Sequence, residues 1–273
     1  MCSISKQSKQ NKISEDIMSN ESSPIVDGED GGIIIIRQFG EREAVGTTAT
    51  GEDIWRGNEL TPAPTSTVEI PTPASVGEQM SVVSESVNDA EAGTGAQIVN
   101  IHYINATTGK REDESVTLNG TTPVPLADPK VRYVNDMHVL SVGSGGTSAG
   151  HIKIFKTDTV GLVYDMIYAG TNKSMVPNWM VPSDCDLILK GWHCEEAQGK
   201  RAAIRIRTTD MEGVISEGIF LFKDVAYLKQ SASGMLELND VIPPYSIVKV
   251  TAWAAITGAE VSCSWWGKLI PRH

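Results

Sequence analysis

Apolar and polar residues alternate in short runs along most of this chain, and Gly, Asn or Pro separate the runs. AAIRIRT, Ala202–Thr208, is the cleanest case: Ile204 and Ile206 point to one side of an extended chain, Arg205 and Arg207 to the other. The same period predicts strands at MSVVSES, QIVNIHYI, SVTLNG, VRYVNDMHVLSV and HIKIF. Further along it predicts them at LVYDMIY, DLILKGWH, GIFLFKD, GMLEL, SIVKVTAWAAI and EVSCSWWGKLI. Asn119-Gly120 carries a turn signal, and Thr257-Gly258 is expected to join the last two strands as a hairpin. No window holds a 3.6-residue stripe over three turns. The pattern predicts an all-β protein with two antiparallel β-sandwich or jelly-roll-like domains, over residues 51–155 and 156–273.

Residues 1–50 depart from this pattern and are expected to form an extended N-terminal arm. Residues 1–31 are polar and almost aperiodic, so a partner would be needed to order them. Inside the leader lies GGIIIIRQFGE, Gly31–Glu41, a short β-prone run. Exposed, it is an aggregation hazard. Two placements satisfy it: addition to a neighbour's sheet edge, or service as the first strand of its own domain. Ile33, Ile34, Ile35, Ile36 and Phe39 are therefore candidate partner-binding residues. Further on, TPAPTSTVEIPTPAS, residues 61–75, carries Pro62, Pro64, Pro71 and Pro73; it reads as a stiff connector or an edge strand.

Composition agrees with strands. Of 273 residues 40% are apolar and 21% charged, with 25 Gly and 13 Pro, which suits a real core and many tight turns. The net charge of −11 is uneven. Residues 1–60 contribute −5 and residues 61–150 contribute −6, while the remainder is balanced. With no basic stripe, the reading excludes direct nucleic-acid binding. The longest purely aliphatic run, Ile33–Ile36, is far too short to insert in a membrane, and no signal-peptide core is visible. Cys2, Cys185, Cys194 and Cys263 form no framework and read as reduced thiols of a protein made in a cytosol.

Candidate chemistry is sparse. KGWHCEEAQGKR, Lys190–Arg201, holds adjacent His193 and Cys194, but neighbours on a strand face opposite ways and no second ligand stands at zinc spacing. The stretch reads as a strand end and a polar hairpin turn, with Trp192 or His193 packed and Glu195–Arg201 exposed. GSGGTSAG, Gly143–Gly150, and TTGKRED lack the spacing of a phosphate cradle. Glu112-Asp113-Glu114 lacks calcium-loop spacing, and no GxSxG elbow exists. The sequence nominates no catalytic residue, no metal ligand and no cofactor site, so the expectation is a non-enzyme. Trp265 and Trp266 must face opposite ways; one fills the core and the other, with Trp55, is a candidate partner anchor.

Several segments resemble a module of tailed-bacteriophage virion proteins. These are WRGN (Trp55–Asn58), EQMSVVSESVNDAEAGTGAQIVNIHYIN, ESVTLNGTTPV and VNDMHVLSVGSGGTSAGHIKI. The second half, with MVPNWMVPSDCDLILKGWHCEE, IRIRTTD, IFLFKD and IPPYSIVKVTAWA, is similar in style, so the resemblance covers about residues 52–272. It implies a non-enzymatic β-sandwich subunit of the neck, tail, fibre or capsid decoration. Such a subunit would be present in many copies, built in the bacterial cytoplasm and found in the virion. Its partners would be copies of itself and other virion proteins. The alternative is a receptor-binding subunit gripping host glycan or protein; it predicts exposed aromatic and acidic or amide side chains on one loop end of residues 155–273.

Overall fold

The computed structural model describes residues 34–48, 51–209, 220–229 and 240–272. Its strands are β1 (Ile34–Val45), β2 (Glu52–Asp53), β3 (Met80–Ser84), β4 (Ala96–Asn105), β5 (Arg111–Thr117), β6 (Val124–Pro125), β7 (Val131–Val142) and β8 (Ile152–Lys156). They continue with β9 (Thr159–Ile167), β10 (Trp179–Met180), β11 (Cys185–Glu196), β12 (Arg201–Thr208), β13 (Leu221–Lys229), β14 (Asp240–Ile242), β15 (Ile247–Ala254) and β16 (Ala259–Pro271). The protein is all-β, as the alternation predicts, and the pairings between strands are antiparallel. The GMLEL run falls outside the described residues.

Two sandwiches share one topology. In the first, the sheet β6-β3-β8-β9 packs on β5-β4-β7; in the second, β14-β11-β16-β1 packs on β13-β12-β15, with β10 and β2 added along β15. Taken in chain order, β3 to β8 correspond one for one to β11 to β16. In the first sandwich β9 follows β8 through a two-residue turn and pairs beside it. In the second, the equivalent place beside β16 is taken by β1, from the other end of the chain. The sequence does not repeat; only the pattern of burial does.

This arrangement corrects two expectations. Residues 34–45 are not an arm held by a partner. They are a strand of the C-terminal sandwich, registered from Ile34↔Leu269 to Val45↔Ala259. The physical reason is the alternation itself: Ile36, Gln38, Gly40 and Arg42 face the sandwich interior. The domain boundary at 155 also moves, because β9 belongs to the first sandwich. The division falls in the segment between β9 and β10.

Each sandwich has its own core. Val82, Val99, Ile101, Met137, Ile152 and Ile154 belong to the first, Leu187, Trp192, Ile204, Val250, Val261 and Trp265 to the second. The Pro-rich connector is docked on both units. Trp55, Leu60 and Ile70 bury against Val83, Phe155, Val163 and Met166 on the outside of the first sandwich. Arg42 of β1 binds Glu52 (Nε to Oε2, 2.8 Å) and donates to the carbonyls of Asp53, Trp55 and Thr67. The two sandwiches meet where Ile104 and Tyr133 touch Met180 and Ile247. There the Asn135 amide acts as a strand edge, accepting from the Met180 N–H (2.8 Å) and donating to the Met180 carbonyl (3.1 Å).

The arches between sheets explain the Gly-rich stretches. Gly143–Gly150 leads from β7 to β8 on the opposite sheet, and the β3–β4 connection crosses beside it. The buried Asp89 carboxylate ties the two loops, accepting from Ser84 Oγ (2.5 Å) and from the N–H groups of Ala96 (2.7 Å), Ala149 (2.8 Å) and Gly150 (2.9 Å). Gly95 must lack a side chain, since a Cβ would meet Asp89 Oδ1 at 2.1 Å. The second sandwich repeats this arrangement. The turn after Glu196 and the turn at Thr257-Gly258 both cross between sheets, joined by Lys200 Nζ donating to the Gly258 carbonyl (2.6 Å). The expected hairpins at both places are therefore arches.

Candidate functional site

The outer face of the sheet β14-β11-β16-β1 collects the candidate partner residues. Ile35 and Phe39 of β1 point outward and are 52% and 42% exposed. In the rows of this sheet, Ile35 stands beside Lys268 and Ile188, Arg37 beside Trp266 and Gly191, and Phe39 beside Ser264 and His193. Val241 and Ile270 extend the exposed apolar surface. Trp266 leans across the neighbouring strand onto Gly191, where a Cβ would lie 2.4 Å from its Cζ2. A bulge at Lys190 sets this up: it shifts the register between Leu189 and Gly191, so that Leu187, Leu189, Trp192 and Cys194 all face inward. Toward one end Glu41, Glu43, Glu195, Glu260 and Arg42 line a hollow of about 170 Å³, and Arg56 pairs with Glu41 (2.8 Å) and Glu43 (3.2 Å).

Not every expected residue is there. Ile33 lies outside the described residues. Ile34 packs partly buried against the core, and Ile36 is buried in it. Trp55, with no exposed surface, is a core residue under the connector. Neither Ile36 nor Trp55 can touch a partner, because the inward parity of β1 and the docked connector bury them. Ile35, Phe39 and Trp266 remain, and the fold brings them onto one surface.

β1 also ends the sheet. Among the described residues, the Tyr168 hydroxyl at the Glu41 carbonyl (3.5 Å) is the hydrogen bond made to its outer edge. Such a long edge carrying apolar side chains is a template for another strand.

The Cys-His stretch is resolved as alternation requires. His193 faces outward, 3.0 Å from Glu195 through Nε2. Cys194 faces inward, opposite Cys263, with Sγ atoms 2.8 Å apart. Burial, then the neighbouring Cys263 thiol, pushes the Cys194 thiol far above its usual range. Trp192 is buried, as expected. Glu196 is buried too, against expectation. Its carboxylate accepts from the N–H groups of Gln198 (3.2 Å) and Lys200 (2.6 Å) and so shapes the arch.

Sequence reading passed over a second cluster. His102, Asp136 and His138, from β4 and β7, bring one potential ligand atom each within 4.8 Å of one another. The only signal was register, since His102 pairs with Asp136 and Asn100 with His138. The surroundings do not suit a dication. Arg111 Nη2 donates to His102 Nδ1 (3.2 Å), Lys173 Nζ lies 3.8 Å from Asp136 Oδ2, and the Asn100 amide sits 3.0 Å from His102 Nε2. Two fixed cations already face one carboxylate, and a third positive centre would be repelled. Burial, then Arg111, His138 and Lys173, lower the His102 pKa to about 3, which keeps the ring neutral. The cluster is a packed polar network on the outer face of its sheet.

No protein-family model matches the chain, and no curated protein matches it. A chain from a solved structure described as "Structure of infectious bursal disease virus Gt strain" aligns over 91% of this chain and 75% of its own length. It is 10% identical with a TM-score of 0.20, too low to carry any argument.

Proposed function

We propose that this protein is a non-enzymatic structural subunit of a virion, of the tailed-bacteriophage kind its motifs resemble, and that it assembles with copies of itself through β1. The observation that carries the reading is β1 at the end of its sheet, with Ile35, Phe39 and Trp266 on the adjoining face. The occupant of that edge is the β1 of a second copy. Antiparallel pairing of two identical edges about a two-fold axis is self-complementary, and it sets Glu41 and Glu43 of one copy away from the same residues of the other. The polar residues ahead of Ile34 are the segment we assign to other virion proteins.

Light scattering of the full chain across a concentration series tests the self-association. The wild type should reach a dimer or higher, and Phe39→Glu or Ile35→Glu should lower the association. Both side chains are well exposed, so the fold should survive the change. A monomer at every concentration would overturn the proposal. Removal of residues 1–33 should leave a folded protein that no longer enters particles. Removal of residues 1–50 should unfold the second sandwich, because it takes away β1.

A further inference from the structure

The outer face of the sheet β13-β12-β15 is covered over only part of its length. Where Arg207 and Lys249 point outward, the connector lies over them through Asp53 and Ile70. Farther along β12 the same face opens into a pocket of about 330 Å³. Its floor is Ala203, which stands opposite Tyr227 of β13 on one side and Trp253 of β15 on the other. The small floor residue lets the two aromatic side chains lean together edge to face, with ring centroids 6.2 Å apart. Arg205 stacks on Trp253, its guanidinium carbon 3.6 Å from the ring centroid. Arg201 and Lys229 form the rim, facing one another in register, and among the described residues no carboxylate lines the pocket.

We propose that this corner binds an acidic sugar residue, a sialic or uronic acid at the end or edge of a glycan. The aromatic walls offer flat apolar surface to the C–H face of a pyranose ring. The cations on the rim meet its carboxylate, and a guanidinium can do so with two parallel hydrogen bonds. Among the described residues, two cations and no acid line this pocket, a positive spot on a chain of net charge −11. A nucleic-acid strand would need that charge to continue as a track, and among the described residues it ends where the connector's Asp53 covers Arg207 and Lys249. A bare phosphate would make no use of the rings. The site differs in chemistry and place from the glycan surface expected of a receptor-binding subunit: it is basic rather than acidic or amide-bearing, and it lies on a sheet face rather than a loop end. It does not depend on the self-association through β1, which lies on the other sheet of the same sandwich.

The test uses the full chain and saturation-transfer NMR with 3′-sialyllactose and trigalacturonate as probes, lactose as the neutral control and oligo(dT) as the polyphosphate control. Saturable binding of at least one acidic probe, with none of lactose, is expected; which probe binds tells sialate from uronate. Tyr227→Ala, and separately the double change Arg201→Ala with Lys229→Ala, should each weaken it about tenfold or more. Tyr227 is 78% exposed, so its loss should leave thermal stability unchanged. The proposal is overturned if neither acidic probe binds, if lactose or oligo(dT) binds as well as they do, or if Tyr227→Ala has no effect.

Discussion

The ammonium of Lys249 on β15 meets the carboxylate of Asp53 on β2 at 3.0 Å, with each side chain 1% exposed. The ammonium also donates to the Ile70 carbonyl (2.8 Å), and Asp53 accepts from the Ile70 N–H (2.8 Å). The pair therefore fastens the Pro-rich connector to the second sandwich. Removing one partner strands a charge in the interior. Asp53→Ala or Lys249→Ala should each cost about 3–5 kcal/mol in urea denaturation. Replacing both with apolar residues of similar size should cost much less than the sum of the single changes.

Asp165 and His102 oppose each other in pH dependence. Burial, opposed by the Ser174 hydrogen bond and reinforced by the charge of Asp136, raises the Asp165 pKa to about 8; the Met166 N–H and Lys173 pull it back. The native state thus holds a proton that the unfolded state releases near pH 4, so Asp165 stabilises below that pH and loses this contribution as pH rises toward 8. His102, buried and then faced by Arg111, His138 and Lys173, stays neutral down to about 3, while an unfolded histidine takes up a proton near pH 6.5. Its contribution is lost as pH falls below that value. The two slopes cancel between about pH 4 and 6.5, so stability from this pair should fall only from about 6.5 to 8. Asp165→Asn should abolish that fall in denaturation curves taken at pH 6.5 and 8.

Asp89 gathers four donors from two loops. Asp89→Ala would leave the buried Ala96 N–H and the part-buried N–H groups of Ala149 and Gly150 without their acceptor, at a cost of roughly 1–3 kcal/mol. Hydrogen exchange should quicken at Ala96, Ala149 and Gly150 while the amides of β11 and β16 keep their protection. Uniform loss of protection across both sandwiches would contradict this local role.

The buried thiols should be inert in the folded state. Burial raises Cys185 to about 11 and holds Cys194 higher still. Iodoacetamide at pH 8 should therefore leave Cys194 and Cys263 unmodified in the native protein and alkylate both once urea unfolds it, read by peptide mass mapping.

Strand positions were legible in the sequence because period two is a property of each segment. In AAIRIRT it gave the buried Ile204 and Ile206 and the outward Arg205 and Arg207, and it parted His193 from Cys194. Partner strands were not legible, because alternation says which way a side chain faces and not which sheet the strand joins. Thr257-Gly258 has hairpin chemistry, yet β15 and β16 lie in different sheets. The bulge at Lys190, which decides where Trp266 lies, leaves no composition signal beyond Gly191. Of the surface around Ile35, Phe39 and Trp266, the residues were nominated separately; only the register of β1 on β16 joins them. The pocket at Tyr227 and Trp253 was missed for the same reason, since its walls come from β13 and β15 on either side of β12.

The pairing of β1 with β16 has a consequence for synthesis. The first sandwich draws β3 to β9 from one continuous stretch and can close as soon as that stretch leaves the ribosome. The second cannot. Its edge strand emerges before any of the first sandwich and must wait, unpaired and carrying Ile35 and Phe39, until β16 follows more than two hundred residues later. Wherever ribosomes make several copies side by side, that waiting strand is open to the growing chains of its neighbours before its own partner exists. The nascent polysome, rather than the finished subunit, is where this protein is most exposed to pairing with the wrong chain.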